Sequence, residues 1–107
     1  MEVSIEQFNA LDIRVGVVLE AGRIPGTKKL LKLKVDVGGE VRELVAGGAE
    51  YYEPQYFVGK RVIVLVNLKP KRIAGVESRG MLLAADVDGK PVWLTVDGDA
   101  PPGSRVR

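Results

Sequence analysis

A chain of 107 residues with a hydrophobic fraction of 46% has the length and apolar content of one compact domain with a single core. It contains no Cys and no His, which excludes a disulfide framework, Cys/His zinc sites, Ser-His-Asp triads and Cys-His dyads. The net charge is only +2 but is unevenly placed: from Lys28 to Arg79 there are eleven Lys/Arg against six Asp/Glu, while acids gather later at Asp86, Asp88, Asp97 and Asp99.

No basic stretch followed by an apolar segment opens the chain, and its longest apolar runs are too short to span a bilayer. A cytoplasmic protein with no membrane partner is expected, and the starting Met1 suggests a whole protein rather than an excised domain. Ser4-Ile5-Glu6-Gln7-Phe8 reads as a helix of about two turns, with Ser4 as N-cap and Gln7 completing a capping box. Ile5 and Phe8 share one face of it, placed to pack on the domain body or on a second subunit. Residues 12–19 form the first strand, with Gly16 marking a bend or bulge. Residues 21–27 form a loop broken by Gly and Pro.

Residues 31–37 show the clearest alternation in the chain. Leu31, Leu33, Val35 and Val37 face inward; Lys32, Lys34 and Asp36 face outward. Gly38-Gly39 is a two-residue hairpin turn, and residues 41–45 return as the third strand. Arg42 is expected on the same outer face as Lys32 and Lys34. Residues 50–57 hold three Tyr and one Phe and read as a short helical or turn segment. Its aromatics are expected to plug a barrel end, although Tyr51, Tyr52 and Tyr56 could also stack on bases. Residues 61–68 are the fourth strand. An exposed insert follows, carrying Lys69, Lys71, Arg72 and Arg79, with a Pro and two Gly that oppose a helix. The fifth strand runs from near Gly80 to an Asp88-Gly89 turn, residues 91–96 return, and residues 97–103 are punctuation before the C-terminus. Asp86-x-Asp88-Gly89 lacks the downstream acids of a calcium loop and is read as a turn.

Three strands, a helical plug and further strands define an all-β OB-fold. The expected form is a five-stranded barrel with a short helix between strands three and four and short terminal additions, one domain over residues 1–107. An SH3-like barrel is the alternative on pattern alone; the plug and the strand count favour the OB form.

Six segments carry a closer likeness: Asp12-Ile13-Arg14-Val15-Gly16, Leu33-Lys34-Val35-Asp36-Val37-Gly38, Val45-Ala46-Gly47-Gly48-Ala49, Asn67-Leu68-Lys69-Pro70, residues 75–85 and Pro101-Pro102-Gly103-Ser104. Through them the chain resembles the tRNA-binding domain found at the C-terminus of many methionyl-tRNA synthetases, in free-standing tRNA-binding proteins and in the secretion chaperone CsaA. One departure stands in the loop after the first strand. The family often has His-Pro-x-Ala-Asp, and this chain has Ile24-Pro25-Gly26-Thr27-Lys28, with a cation in place of the acid. The resemblance implies a non-catalytic protein, without cofactor or metal, that recognises tRNA by shape. It also implies a homodimer and a trans-acting partner or subunit of the methionyl-tRNA synthetase catalytic chain. A CsaA-like peptide-binding chaperone is the alternative on the same fold.

An OB surface that binds RNA needs cations for phosphate and donors, acceptors or apolar faces for bases. Lys32, Lys34 and Arg42 supply a basic stripe; Lys69, Lys71, Arg72 and Arg79 frame the insert. Asn67 could read a base edge or a 2′-hydroxyl, Ser78 could donate to phosphate, and Met81 offers a soft apolar contact. The same residues have structural uses: Lys32 and Lys34 as a solvated strand face, Asn67 as a satisfied turn residue, Met81 as core.

Overall fold

The structure, a computed structural model, describes residues 1–107. The capping box forms as read: Ser4 Oγ accepts from Gln7 N at 3.1 Å and Gln7 Oε1 accepts from Ser4 N at 2.7 Å. It starts α1 (Ile5–Asn9). Phe8 packs on Ile13, Val15 and Ile63, but Ile5 stays exposed, so only one of the two expected contacts reaches the body.

β1 (Ile13–Arg23) is longer than read, continuing through Ala21 and Gly22. It serves two sets of neighbours. Ile13 to Val17 pair with β4 (Arg61–Leu65), while Val17 to Arg23 pair with β2 (Leu31–Asp36). The ladder with β2 shifts between Val18 and Glu20. The bulge is therefore three residues beyond Gly16. Gly16 has a different cause: a Cβ there would lie 2.5 Å from Val35 Cγ1, so its bare Cα admits the neighbouring strand.

The Gly38-Gly39 turn joins β2 to β3 (Val41–Ala46), and both glycines have positive φ, +93° and +82°, as a type I′ hairpin requires. Leu31, Leu33 and Val35 are fully buried from β2, and Leu44 from β3. Each such side chain contributes about 1.5–3 kcal/mol by leaving water. α2 (Pro54–Phe57) follows, a single turn between β3 and β4 as read. Phe57 plugs the barrel end and Tyr52 half-plugs it, while Tyr51 and Tyr56 remain exposed. The expected plug is thus two rings rather than four.

β4 stops at Leu65, three residues early: Val66 N still donates to Asp12 O at 2.8 Å, but Asp12 N donates to Asn67 Oδ1 and Val66 O accepts from Arg42. The basic insert is ordered as a hairpin, β5 (Lys71–Ile73) with β6 (Val76–Ser78). β7 (Met81–Leu82) then pairs with β4. The expected fifth strand is divided: β7 ends at Leu82, and β8 (Ala84–Val87) forms a separate hairpin with β9 (Lys90–Trp93) about the Asp88-Gly89 turn. β10 (Arg105–Val106) adds to Ile13–Arg14, turning the C-terminal tail into a sixth strand.

The sheet order is β3-β2-β1-β4-β7, curled into an OB-like half-barrel over the Leu31/Leu33/Val35/Leu44/Phe57 core. The gap between its ends is bridged by Arg79 N to Glu43 O at 3.0 Å and by Ser78 Oγ, which accepts from Val45 N at 3.0 Å. No helix is long and apolar enough to cross a membrane.

Candidate nucleic-acid interface

The bridged gap decides where the basic hairpin points. Ser78 sits on Val45 and Arg79 on Glu43, so the chain before Ser78 lies toward Ala46 and Gly47. The β5–β6 hairpin therefore projects beside β3, at the barrel end where the β1–β2 loop carries Lys28 and Lys29. The turn at its tip uses Ala74 (φ +50°) and Gly75 (φ +82°). Arg72 lies opposite Glu77 in the ladder, yet the two form no ion pair.

The ten residues singled out from the sequence divide into three groups. Lys69, Lys71, Arg72 and Arg79 are exposed, and none takes part in an ion pair; Met81, on β7 opposite Leu65, is 44% exposed rather than in the core. Lys32 and Lys34 face outward on β2 but are matched to acids, Lys32 Nζ to Glu43 at 3.7 Å and Lys34 Nζ to Glu20 at 3.2 Å. Asn67, Ser78 and Arg42 are engaged inside the fold.

Arg42 is a correction. The β2–β3 register pairs it with Val35, on the barrel side of the sheet, rather than beside Lys32 and Lys34. Its guanidinium closes one barrel end: Nη1 donates to Val66 O and to Arg79 O (3.3 Å), and Nη2 lies 2.7 Å from Glu40 Oε1. Asn67 Oδ1 accepts from Asp12 N at 2.9 Å and its Nδ2 donates to Ala10 O at 2.7 Å, tying the N-terminal segment to the end of β4. Ser78 is buried, its Oγ donating to Gly80 O at 3.2 Å while accepting from Val45 N. Ser78 and Arg42 hold the hairpin's base in place.

An ion pair that the sequence reading did not single out stands at the same barrel end. Arg14 Nε donates to Asp12 Oδ1 at 2.7 Å and Nη2 donates to Oδ2 at 3.2 Å. This hydrogen bonding holds the Asp12 carboxyl below the usual range despite some desolvation, and raises the Arg14 guanidinium above its own. Asp12, Arg14 and Arg42 thus form a polar lid of paired charges at the Gly38 end, opposite the end toward which the basic hairpin projects.

The chemistry available is a projecting hairpin with two cations outside any ion pair, Lys71 and Arg72, two more flanking it, Lys69 and Arg79, and an exposed Met81 on the strand that follows. That suits phosphate contact with an apolar contact beside it. No paired carboxylates or ordered nucleophile accompany it.

Comparison with known proteins gives a consistent neighbourhood. Residues 13–105 match the family model described as "Putative tRNA binding domain". The chain is 54% identical over 105 residues to a methionine–tRNA ligase of Archaeoglobus fulgidus, covering 98% of this chain but 16% of that protein. It is 51% identical over 107 residues to that of Methanocaldococcus jannaschii, again 16% of its length. A MetRS-related protein from Pyrococcus horikoshii superimposes with a TM-score of 0.93 at 43% identity, with all of both chains covered. The chaperone CsaA of Bacillus anthracis does so at 0.90 and 28%, also over both whole chains.

Proposed function

Because the chain belongs to the tRNA-binding domain family, we propose that it is a non-catalytic module that binds folded tRNA through the β5–β6 hairpin. The observation that carries this reading is the set of four exposed, unpaired cations, Lys71 and Arg72 on the hairpin with Lys69 and Arg79 flanking it, on a base held by Ser78 and Arg42. Lys69, Lys71, Arg72 and Arg79 neutralise phosphates, Met81 gives an apolar contact, and Lys32 and Lys34 form a weaker flank whose carboxylate partners must be displaced. Fixed cations on a rigid frame recognise the spacing of phosphates on a folded RNA, and therefore its shape.

The partner we assign is the methionyl-tRNA synthetase catalytic chain, to which this module lends tRNA affinity. We also assign a homodimer. Met1, Val3, Ile5 and Leu11 are exposed in the N-terminal segment whose Phe8 packs on the small Ile13/Val15/Ile63 cluster, and a second copy covering them removes apolar surface from water. The test of the tRNA reading is a titration with unfractionated folded tRNA at two salt concentrations, against an unstructured RNA of similar length. Tight, salt-sensitive preference for folded tRNA is expected; equal affinity for both RNAs overturns it.

A second reading, peptide binding as in a CsaA-like chaperone, is favoured by the apolar outer face of the β8–β9 hairpin. Val87 and Val92 are exposed there, with Leu94 just beyond. It requires binding of an unfolded peptide that persists at high salt and survives loss of the hairpin cations.

A further inference from the structure

An open cleft of about 610 Å³ lies at the same barrel end as the hairpin, between the segment after β3 and the β8–β9 hairpin. Its walls include Lys29, Gly47, Gly48, Glu50, Tyr51 and Asp86. None of the ten residues discussed above lines it. Four of its features bear on a ligand.

First, Tyr51 is 52% exposed in the cleft wall and stands outside the ring contacts among Tyr52, Tyr56, Phe57 and Trp93. A ring held at a cleft wall with an accessible face is a stacking platform. Second, Gly47 forms part of the wall with open space where a side chain would stand, so a flat ligand can approach the backbone there; at Gly48 that space is filled by Pro91, Trp93 and Tyr52. Third, two cations border the cleft, Lys29 in its wall and Lys90 with Nζ 5.7 Å from the Tyr51 ring centroid. Fourth, Glu50 and Asp86 form no ion pairs, and only Asp86 Oδ1 has a donor, Gly89 N at 2.8 Å. The cleft wall therefore offers exposed carboxylate acceptors that no protein cation neutralises. Guanine alone among the bases presents adjacent N1–H and N2–H donors on one edge, the complement of a carboxylate.

We propose that this cleft is a pocket for an unpaired guanine nucleotide, stacked on Tyr51, with its edge on Glu50 or Asp86 and its phosphate on Lys29 and Lys90. The volume suits a ligand of this size. The pocket rests on the RNA-binding reading above in that it gives the same RNA a second contact, beside the hairpin. It reads a base, where the hairpin meets only phosphates.

The test is a titration of the isotope-labelled full chain with GMP, with AMP and with an unfolded peptide, following backbone amides by NMR. GMP is expected to shift Gly47, Gly48 and Gly89, and AMP to shift them less. Tyr51→Ala, at an exposed position, is expected to weaken GMP binding at least about five-fold, while Tyr51→Phe retains it. Shifts confined to residues 71–78, equal shifts from AMP, or cleft shifts produced by the peptide and not by GMP each overturn the pocket. Folded tRNA is titrated in parallel against Lys71→Ala/Arg72→Ala. Loss of tRNA binding in that variant, with no GMP response in the wild type, removes the pocket and leaves the tRNA reading standing. A GMP response in a protein indifferent to tRNA does the reverse.

Discussion

The double substitution Lys71→Ala/Arg72→Ala isolates the hairpin's contribution because both side chains are exposed and neither forms an ion pair in the folded chain. Stability is expected to change by no more than about 0.5 kcal/mol, as for surface positions without partners. Binding is different. If the four hairpin cations each neutralise one phosphate, the logarithm of affinity falls with the logarithm of salt at a slope of about −3.6, taking about 0.9 per contact. Between about 50 and 200 mM salt that is a loss of about 150-fold; two contacts give a slope of about −1.8 and a loss of about 12-fold. Fluorescence anisotropy with labelled folded tRNA across a salt series reads the slope directly, and a thermal melt controls for folding. Lys32→Ala/Lys34→Ala should change the slope less, because Glu43 and Glu20 already face those ammonium groups and their displacement offsets counterion release. A slope unchanged in the hairpin variant, or one lost chiefly in the β2 variant, refutes the placement of the interface.

Three further outcomes test the frame. Ser78→Ala leaves Val45 N without its side-chain acceptor, so a stability loss of about 1–3 kcal/mol is expected by calorimetry, with no change in the salt slope of tRNA binding. Asp12→Asn should destabilise the chain at neutral pH. The lowered Asp12 pKa contributes stability that is fully present above the unfolded value, near about 4, and is lost as pH falls through the folded value. Urea unfolding at a series of pH values should therefore show the variant and wild type converging in acid; a difference that stays constant to the lowest pH assigns the effect to packing. Gly38→Ala combines φ +93° with a Cβ 2.5 Å from Gly103 Cα, whereas Gly39→Ala meets open space at φ +82°. Thermal unfolding should show the first losing at least about 2 kcal/mol and the second about 1 kcal/mol.

Much of the architecture was legible because it follows local rules. The Ser4/Gln7 capping box, the alternation of β2, the paired glycines at 38 and 39 and the one-turn plug before β4 all formed where their chemistry placed them. The face of Arg42 was legible too, but it was misread. A two-residue turn at Gly38-Gly39 sets Val37 opposite Glu40, hence Val35 opposite Arg42, and Val35 is core. The hairpin within the basic insert was hidden because its tip is Ala74-Gly75, without the Asn or Asp that usually marks φ > 0 at the first position. The far end of β1 was hidden by Gly22, read as a breaker although it lies in the β2 ladder. The roles of Asn67 and Ser78 had no local signal. Their partners lie 55 or 57 and 33 residues away in sequence, and only the folded chain brings them together.

The placement of those two residues changes how the insert's motif is understood. In Asn67-Leu68-Lys69-Pro70 and Ser78-Arg79-Gly80-Met81, residues engaged in the fold alternate with residues left free. Asn67 ties the N-terminal segment and Lys69 is free; Ser78 bridges to β3 and Arg79 is free; Gly80, at φ +139°, has room only for a hydrogen and Met81 is exposed. A hairpin of three-residue strands would not persist alone in water. The anchors at Ser78, Arg79 N and Arg42 fix the hairpin's base to β3. An anion arriving at the hairpin therefore needs little reordering of the chain that binds it. Removing an anchor returns that ordering cost to the binding step, so it should weaken RNA binding even where no anchor touches RNA.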